Sequence, residues 1–187
     1  MGWTSYRATK YKKDGTVDKK AELDAYWLED RHELLKSAMV GSTYYAAVRV
    51  KDTGEVFAAV FLTESRREHG HNFAYKPMSE SCGPTEAKCP KGILALLTEA
   101  DNDYAAEWRD KCRQYHANKE LFEKLPLGTK IIWTVPHEYF THFKKGQKVE
   151  LVKRKLGERL TAWVTSPGCV RLNAKYIDIK DIVIIEP

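Results

Sequence analysis

Between Tyr44 and Thr63 the chain reads Tyr-Tyr-Ala-Ala-Val-Arg-Val-Lys, then Asp52-Thr53-Gly54-Glu55, then Val-Phe-Ala-Ala-Val-Phe-Leu-Thr. Two β-rich runs flank a short loop that opens on an aspartate and contains a glycine able to take a positive φ, the pattern of a β-hairpin. The first run alternates, with Val48 and Val50 on one face and Arg49 and Lys51 on the other. The second is apolar on both faces from Val56 to Leu62, as expected of an interior strand covered on each side.

The flanking segments offer helices for that cover. Upstream, Asp18 is placed to cap a helix from about Lys19 to Ala38, with Leu23, Tyr26, Trp27, Leu34, Leu35 and Ala38 on one side and Gly41 as its stop. Downstream, helical structure begins at Ile93, and Asp101 or Asn102 caps a longer helix to about Lys124. Its apolar stripe is Tyr104, Trp108, Cys112, Tyr115 and Phe122. The mixed aromatic and basic stretch Trp3–Lys13 alternates like an edge strand. From Glu64 to Lys91 regular patterning stops, apart from a short strand at Phe73-Ala74-Tyr75.

After Pro126 the texture changes to short β runs at Lys130–Val135, Lys148–Lys153, Thr161–Thr165, Val170–Asn173 and Ile182–Glu186. Turn signals separate them at Lys145-Gly146, Leu156-Gly157 and Pro167-Gly168. Five short strands so closely spaced predict a small SH3-like β-barrel. The expected class is therefore α+β. A helix–β-hairpin–helix core over residues 1–125 is followed by a small basic barrel over 126–187.

Charge divides in the same way. Residues 1–125 carry 20 Lys/Arg against 20 Asp/Glu, and residues 126–187 carry 11 against 6, so the whole net charge of +5 sits in the last third. A local surplus of this kind suits a polyanion or an acidic protein surface. It concentrates in Lys144, Lys145, Lys148, Lys153, Arg154, Lys155 and Arg159, with Tyr139, Phe140, Phe143 and Trp163 nearby. Lys and Arg beside exposed aromatics bind phosphates and stack bases; the plainer reading is a solvated hairpin tip over core aromatics.

Reaction signatures are missing from the sequence. It contains no phosphate-binding Gly-x-x-x-x-Gly-Lys, no Gly-x-Gly-x-x-Gly and no Gly-x-Ser-x-Gly. His69, His71, Cys82 and Cys89 are zinc-ligand types, but their spacing lacks the tight Cys-x-x-Cys turn, so no metal is assigned and the cysteines are expected to cover the core. Cys112 lies on the apolar stripe of its helix, and Cys169 follows a Pro-Gly turn. No cofactor is expected. Four cysteines without a secretory signal, and no apolar run of membrane-spanning length, point to a cytoplasmic protein away from membranes.

Several segments carry a resemblance. Met1-Gly-Trp-Thr-Ser-Tyr, Lys20-Ala-Glu, Met39-Val-Gly-Ser-Thr-Tyr-Tyr-Ala-Ala-Val, Cys82-Gly-Pro, Cys89-Pro, and Asp101-Asn102 followed by Glu107-Trp108-Arg109 resemble an uncharacterised family. That family is carried on conjugative and phage-like elements of gut Firmicutes, and the resemblance spans about residues 1–115. It implies no catalytic residues. It does imply an accessory factor in DNA transfer, or an inhibitor of host defence such as a restriction enzyme or CRISPR nuclease. The leading expectation is thus a non-catalytic binding protein whose partner is nucleic acid or a nucleic-acid-processing enzyme. Competing expectations are an enzyme acting on nucleic acid by base excision or cleavage, and a scaffold in a conjugation complex. For the enzyme, Tyr75, Lys76, Glu80 and Asp101 are the first residues to test.

Overall fold

A computed structural model describes residues 2–27, 31–66, 70–84, 86–135, 138, 143–152, 161–164, 171–173 and 182–186. The chain divides into two compact units, Met1–Cys112 and Arg113–Pro187. The boundary falls inside a helix that runs from Asp103 to Lys124.

The first unit is built on a five-stranded antiparallel sheet: β1 (Thr4–Tyr6), β2 (His32–Val40), β3 (Thr43–Val50), β4 (Val56–Glu64) and β5 (Phe73–Ser79), in spatial order β1-β5-β4-β3-β2. The hairpin read from sequence is β3–β4, in register from Thr43↔Leu62 to Arg49↔Val56. Gly54, at φ 74°, gives its turn the left-handed residue it needs. β4 lies at the middle of the sheet, and both its faces are buried. On one face Tyr44, Ala46, Val48, Ala59, Phe61 and Phe73 pack beneath Leu23 and Trp27, which flank the end of α1 (Lys19–Ala25). On the other, Tyr45, Ala47, Val56, Ala58 and Val60 pack against Ile93 of α2 (Lys91–Leu94) and Trp108 and Cys112 of α3 (Asp103–Lys124).

Asp18 caps α1, its Oδ1 accepting from Ala21 N at 3.1 Å, and Asn102 caps α3, its Oδ1 accepting from Ala105 N at 2.9 Å. The helix expected from Lys19 to Ala38 is corrected: α1 ends at Ala25, and residues 32–40 form β2. The cause is a register shift between Leu34 and Lys36. Leu34 and Leu35 point to opposite faces as in any strand, but the shift puts Lys36 on the Leu35 side, where its Nζ approaches Gly92. A bulge of this kind interrupts the two-residue period and leaves spacings that imitate a helix. Gly41, at φ 61°, then turns the β2–β3 hairpin instead of stopping a helix.

Residues 73–79 also exceed expectation. They form a full strand between β1 and β4. Pro77 hid this pattern in the sequence. It is tolerated because β1 pairs only with Phe73–Tyr75, leaving one side of β5 open beyond them. On α3 the inward face is Ala105, Trp108, Arg109 and Cys112, whereas Tyr104 is 66% exposed and lies off the stripe.

In the second unit β6 (Lys130–Thr134), β7 (Lys148–Val152), β8 (Thr161–Val164), β9 (Arg171–Asn173) and β10 (Ile182–Glu186) reproduce the five expected strands. They form one antiparallel sheet in the order β10-β6-β7-β8-β9. Among the described residues no pairing joins β9 to β10, so the expected closed barrel is an open sheet there. Ile131, Trp133, Val149 and Leu151 fill its buried face, and Lys130, Lys148 and Glu150 lie exposed. Mixed helix and antiparallel sheet make the chain α+β in the coarse sense.

Candidate functional site

The connection from β6 into β7 carries the described part of the basic cluster. Gly146, at φ 78°, sits in a tight turn: its N–H donates to Val135 O at 2.8 Å, and Gln147 N donates to Lys144 O at 3.0 Å. Lys144 N in turn donates to the Gln147 side-chain Oε1 at 3.0 Å. The turn is bracketed by buried Phe143 and Val149, which anchor it to the inner face. Lys144, Lys145 and Lys148 are therefore held on the outside, all three exposed. On β7 the partner of Lys148 is Thr134, so the outer face continues with a neutral hydroxyl beside the ammonium.

Three predicted contact residues are thus brought together on one rim. The other four, Lys153, Arg154, Lys155 and Arg159, lie outside the described residues, as do Tyr139 and Phe140. Phe143, one of the aromatics considered for stacking, is buried and belongs to the core.

The residues considered for catalysis resolve differently. Glu80 stands on a short 3-10 turn, Glu80–Cys82, directly after β5. Its carboxylate is 1% exposed and accepts from Arg109 Nε at 2.5 Å, from Arg109 Nη2 at 2.7 Å and from the Ala58 backbone N–H at 2.9 Å. The β4–β5 pairing ends at Ala59↔Ser79, so Glu80 takes the next donor on β4 that would otherwise lack a partner. Arg109 also donates through Nη1 to Thr98 O, and Thr98 pairs with Val56 through backbone and hydroxyl. One ion pair therefore joins β4, the 3-10 turn, α3 and the segment before it. The hydrogen bonds that Arg109 donates to Glu80 keep the guanidinium protonated against the opposing effect of burial. This geometry assigns Glu80 to folding.

Asp101 accepts from Ser81 Oγ at 2.8 Å at the surface, tying two loops. The Tyr75 ring stacks on Phe61 at 5.5 Å, and burial, reinforced by Tyr26, pushes its hydroxyl above the usual phenol range. Lys76 is half-buried opposite Leu62. Glu80 and Tyr75 are thus committed to packing.

The zinc-type residues separate. Cys89 is buried in the core beside Cys112, with its thiol pushed up by burial, whereas Cys82 and His71 are exposed. The expectation that Cys82 covers the core is corrected. His69 and Cys169 lie outside the described residues, among which no three His, Cys, Asp or Glu side chains converge. None of the described helices is long and apolar enough to cross a membrane.

Sequence reasoning missed two features. The Glu80–Arg109 pair spans 29 positions, and neither partner carries a local signature. Lys12, Lys19 and Lys20 line a common cleft. The Asp18-Lys-Lys start of α1 was legible, but its convergence with the Lys12 turn was not.

With the geometry in place, comparison with known proteins adds one resemblance. Residues 99–174 match a family model described as a domain of unknown function (DUF6927). The match covers less than half of the chain, beginning just before α3 and ending just after β9. Neither the curated proteins nor the solved structures contain a match.

Proposed function

We propose that the chain is a non-catalytic binding protein of a mobile element, acting on nucleic acid or on a nucleic-acid-processing host enzyme. In this reading it serves counter-defence, as an inhibitor of a CRISPR nuclease or restriction enzyme, and the second unit makes the charge contacts. The observation that carries the reading is the outward rim of Lys144, Lys145 and Lys148, in a unit with 14 Lys/Arg against 8 Asp/Glu. The first unit has 17 against 18, so the field that draws a polyanion comes from the second.

In the second sheet the last strand returns beside the first, which is the strand order of an SH3-like roll. The resemblance of residues 1–115 to a mobile-element family supplies the ecological half of the proposal. An inhibitor of this kind acts by occupying a surface and needs no reaction centre.

Charge reversal tests the assignment. Lys144→Glu, Lys145→Glu and Lys148→Glu together, and Lys153→Glu, Arg154→Glu and Lys155→Glu together, should each weaken binding to nucleic acid more at low salt than at high salt. The slope of log affinity against log salt should fall by about 0.7–0.9 for each phosphate that is no longer neutralised. Unchanged affinity at low salt in both triple variants would remove the second unit as the contact surface.

A further inference from the structure

The sheet of the first unit ends on one side in the three-residue β1 and on the other in the nine-residue β2. Among the described residues no strand pairs with the outer edge of β2, and no other backbone group bonds it. Its side chains are nevertheless those of an interior strand. Leu34 and Met39 pack half-buried on the Tyr44 face, and Leu35, Ala38 and Val40 on the Tyr45 face. A long strand that is apolar on both faces and keeps one free row of N–H and C=O groups is a template for pairing with another chain.

The charges on β2 say which chain fits. Glu33 and Lys36 are both exposed, and their β3 partners Arg49 and Ala47 place them on the same face. Because the bulge makes Leu35 and Lys36 oppose a single partner, only Leu34 separates the two charged positions along the ladder. Glu33 meets Arg49 at 2.8 Å in an exposed pair, and no described carboxylate lies within ion-pairing distance of Lys36. A lysine on an edge discourages pairing unless the incoming strand sets a carboxylate opposite it. A second β2, antiparallel about a two-fold axis at Leu34, does so twice: Glu33 of each copy faces Lys36 of the other, with Leu34 against Leu34 between them. Axes at Glu33 or Lys36 would oppose like charges. An axis at Ser37 would set Lys36 against Ala38 and Glu33 against Val40, with no counter-charge for either.

We propose that two copies of this chain associate through β2, joining their first-unit sheets into one continuous antiparallel sheet. The contact is self-complementary, as a two-fold interface requires, and the reciprocal Glu33–Lys36 pairs fix its register.

The test is sedimentation velocity on the full chain at low salt, from about 1 μM to 1 mM. A concentration-dependent monomer–dimer equilibrium is expected. Lys36→Glu replaces two attractive pairs by two repulsive ones, and Glu33→Lys does the same; each should raise the dissociation constant roughly tenfold or more. Both positions are exposed, and the Glu33–Arg49 pair lost in Glu33→Lys contributes little to the fold, which circular dichroism checks. Mixed together, the two variants regain complementary charges, so the mixture should form a one-to-one dimer at concentrations where each alone is monomeric. Lys13→Glu, an equal change of charge at an exposed position outside β2, should leave the equilibrium unchanged. A monomer across the whole series would overturn the proposal. So would a dimer indifferent to both β2 variants, equal weakening by Lys13→Glu, or failure of the mixed variants to associate.

Discussion

Removing the Arg109 guanidinium tests the reasoning about the first unit most severely. In Arg109→Met the Glu80 carboxylate keeps the Ala58 N–H but loses both charge-assisted bonds, while Thr98 O loses its donor. The pair is nearly solvent-free, with side-chain exposures of 8% for Arg109 and 1% for Glu80. Breaking such a pair from one side strands a charge in low dielectric and costs roughly 3–5 kcal/mol, most of it desolvation no longer offset. For a unit of about this size the loss corresponds to roughly 10–25 °C in midpoint. Urea unfolding followed by tryptophan fluorescence reads it, because Trp108 sits one residue from Arg109 in the buried face of α3. The double variant Glu80→Gln/Arg109→Met removes the stranded charge and should recover at least half of the loss. A single variant within about 1 kcal/mol of wild type would refute the claim that the pair is desolvated. A double variant no better than the single would show that the loss came from packing and not from charge.

Other outcomes follow from the same packing. Trp108→Ala, emptying the space between α3 and the sheet, should cost about 3–5 kcal/mol in the same unfolding assay. The Tyr44 and Tyr45 hydroxyls are raised well above the ordinary phenol range mainly by burial, and Tyr6 by burial and by Glu22. A folded-state value raised in this way leaves stability intact below about pH 10 and erodes it as unfolded tyrosines ionise above that pH. Alkaline titration followed by ultraviolet difference absorbance should therefore show these tyrosines ionising together with unfolding; smooth titration in the folded protein would contradict their burial. Thiol mapping under native conditions should label Cys82 rapidly and spare Cys89 and Cys112, and early labelling of Cys89 would contradict its place in the core.

Much of the architecture can be read from local chemistry because local chemistry produces it. The β3–β4 hairpin follows from Gly54 and two β-rich runs, and the interior position of β4 from an apolar run without alternation. The strands of the second unit fall between Gly and Pro turn signals in the sequence, and their sequence limits nearly coincide with the structural ones. What escaped depends on distant partners. β2 exists because β3 needs an edge partner, and its bulge at Leu35 erases the period that would have revealed it. Tyr104 fits a helical stripe by spacing alone, but the sheet lies under Ala105, Trp108 and Cys112. The buried role of Glu80 depends on Arg109, 29 residues away, and no one-dimensional pattern distinguishes it from the other acidic residues of that region. The candidate site divides likewise. Exposure of Lys144, Lys145 and Lys148 follows from a Gly turn between apolar anchors, whereas the Lys12–Lys19 cleft arises only when a turn and a helix start converge.

Direct contact between the second unit and nucleic acid would run through several of its lysines and arginines. It is tested most directly by titrating the full chain against labelled duplex DNA, single-stranded DNA and structured RNA at two salt concentrations. Saturable binding to at least one of them is expected, weakening steeply with salt by a slope of about 0.7–0.9 for each phosphate neutralised. Binding to none of the three at low salt, or an affinity indifferent to salt, would contradict it.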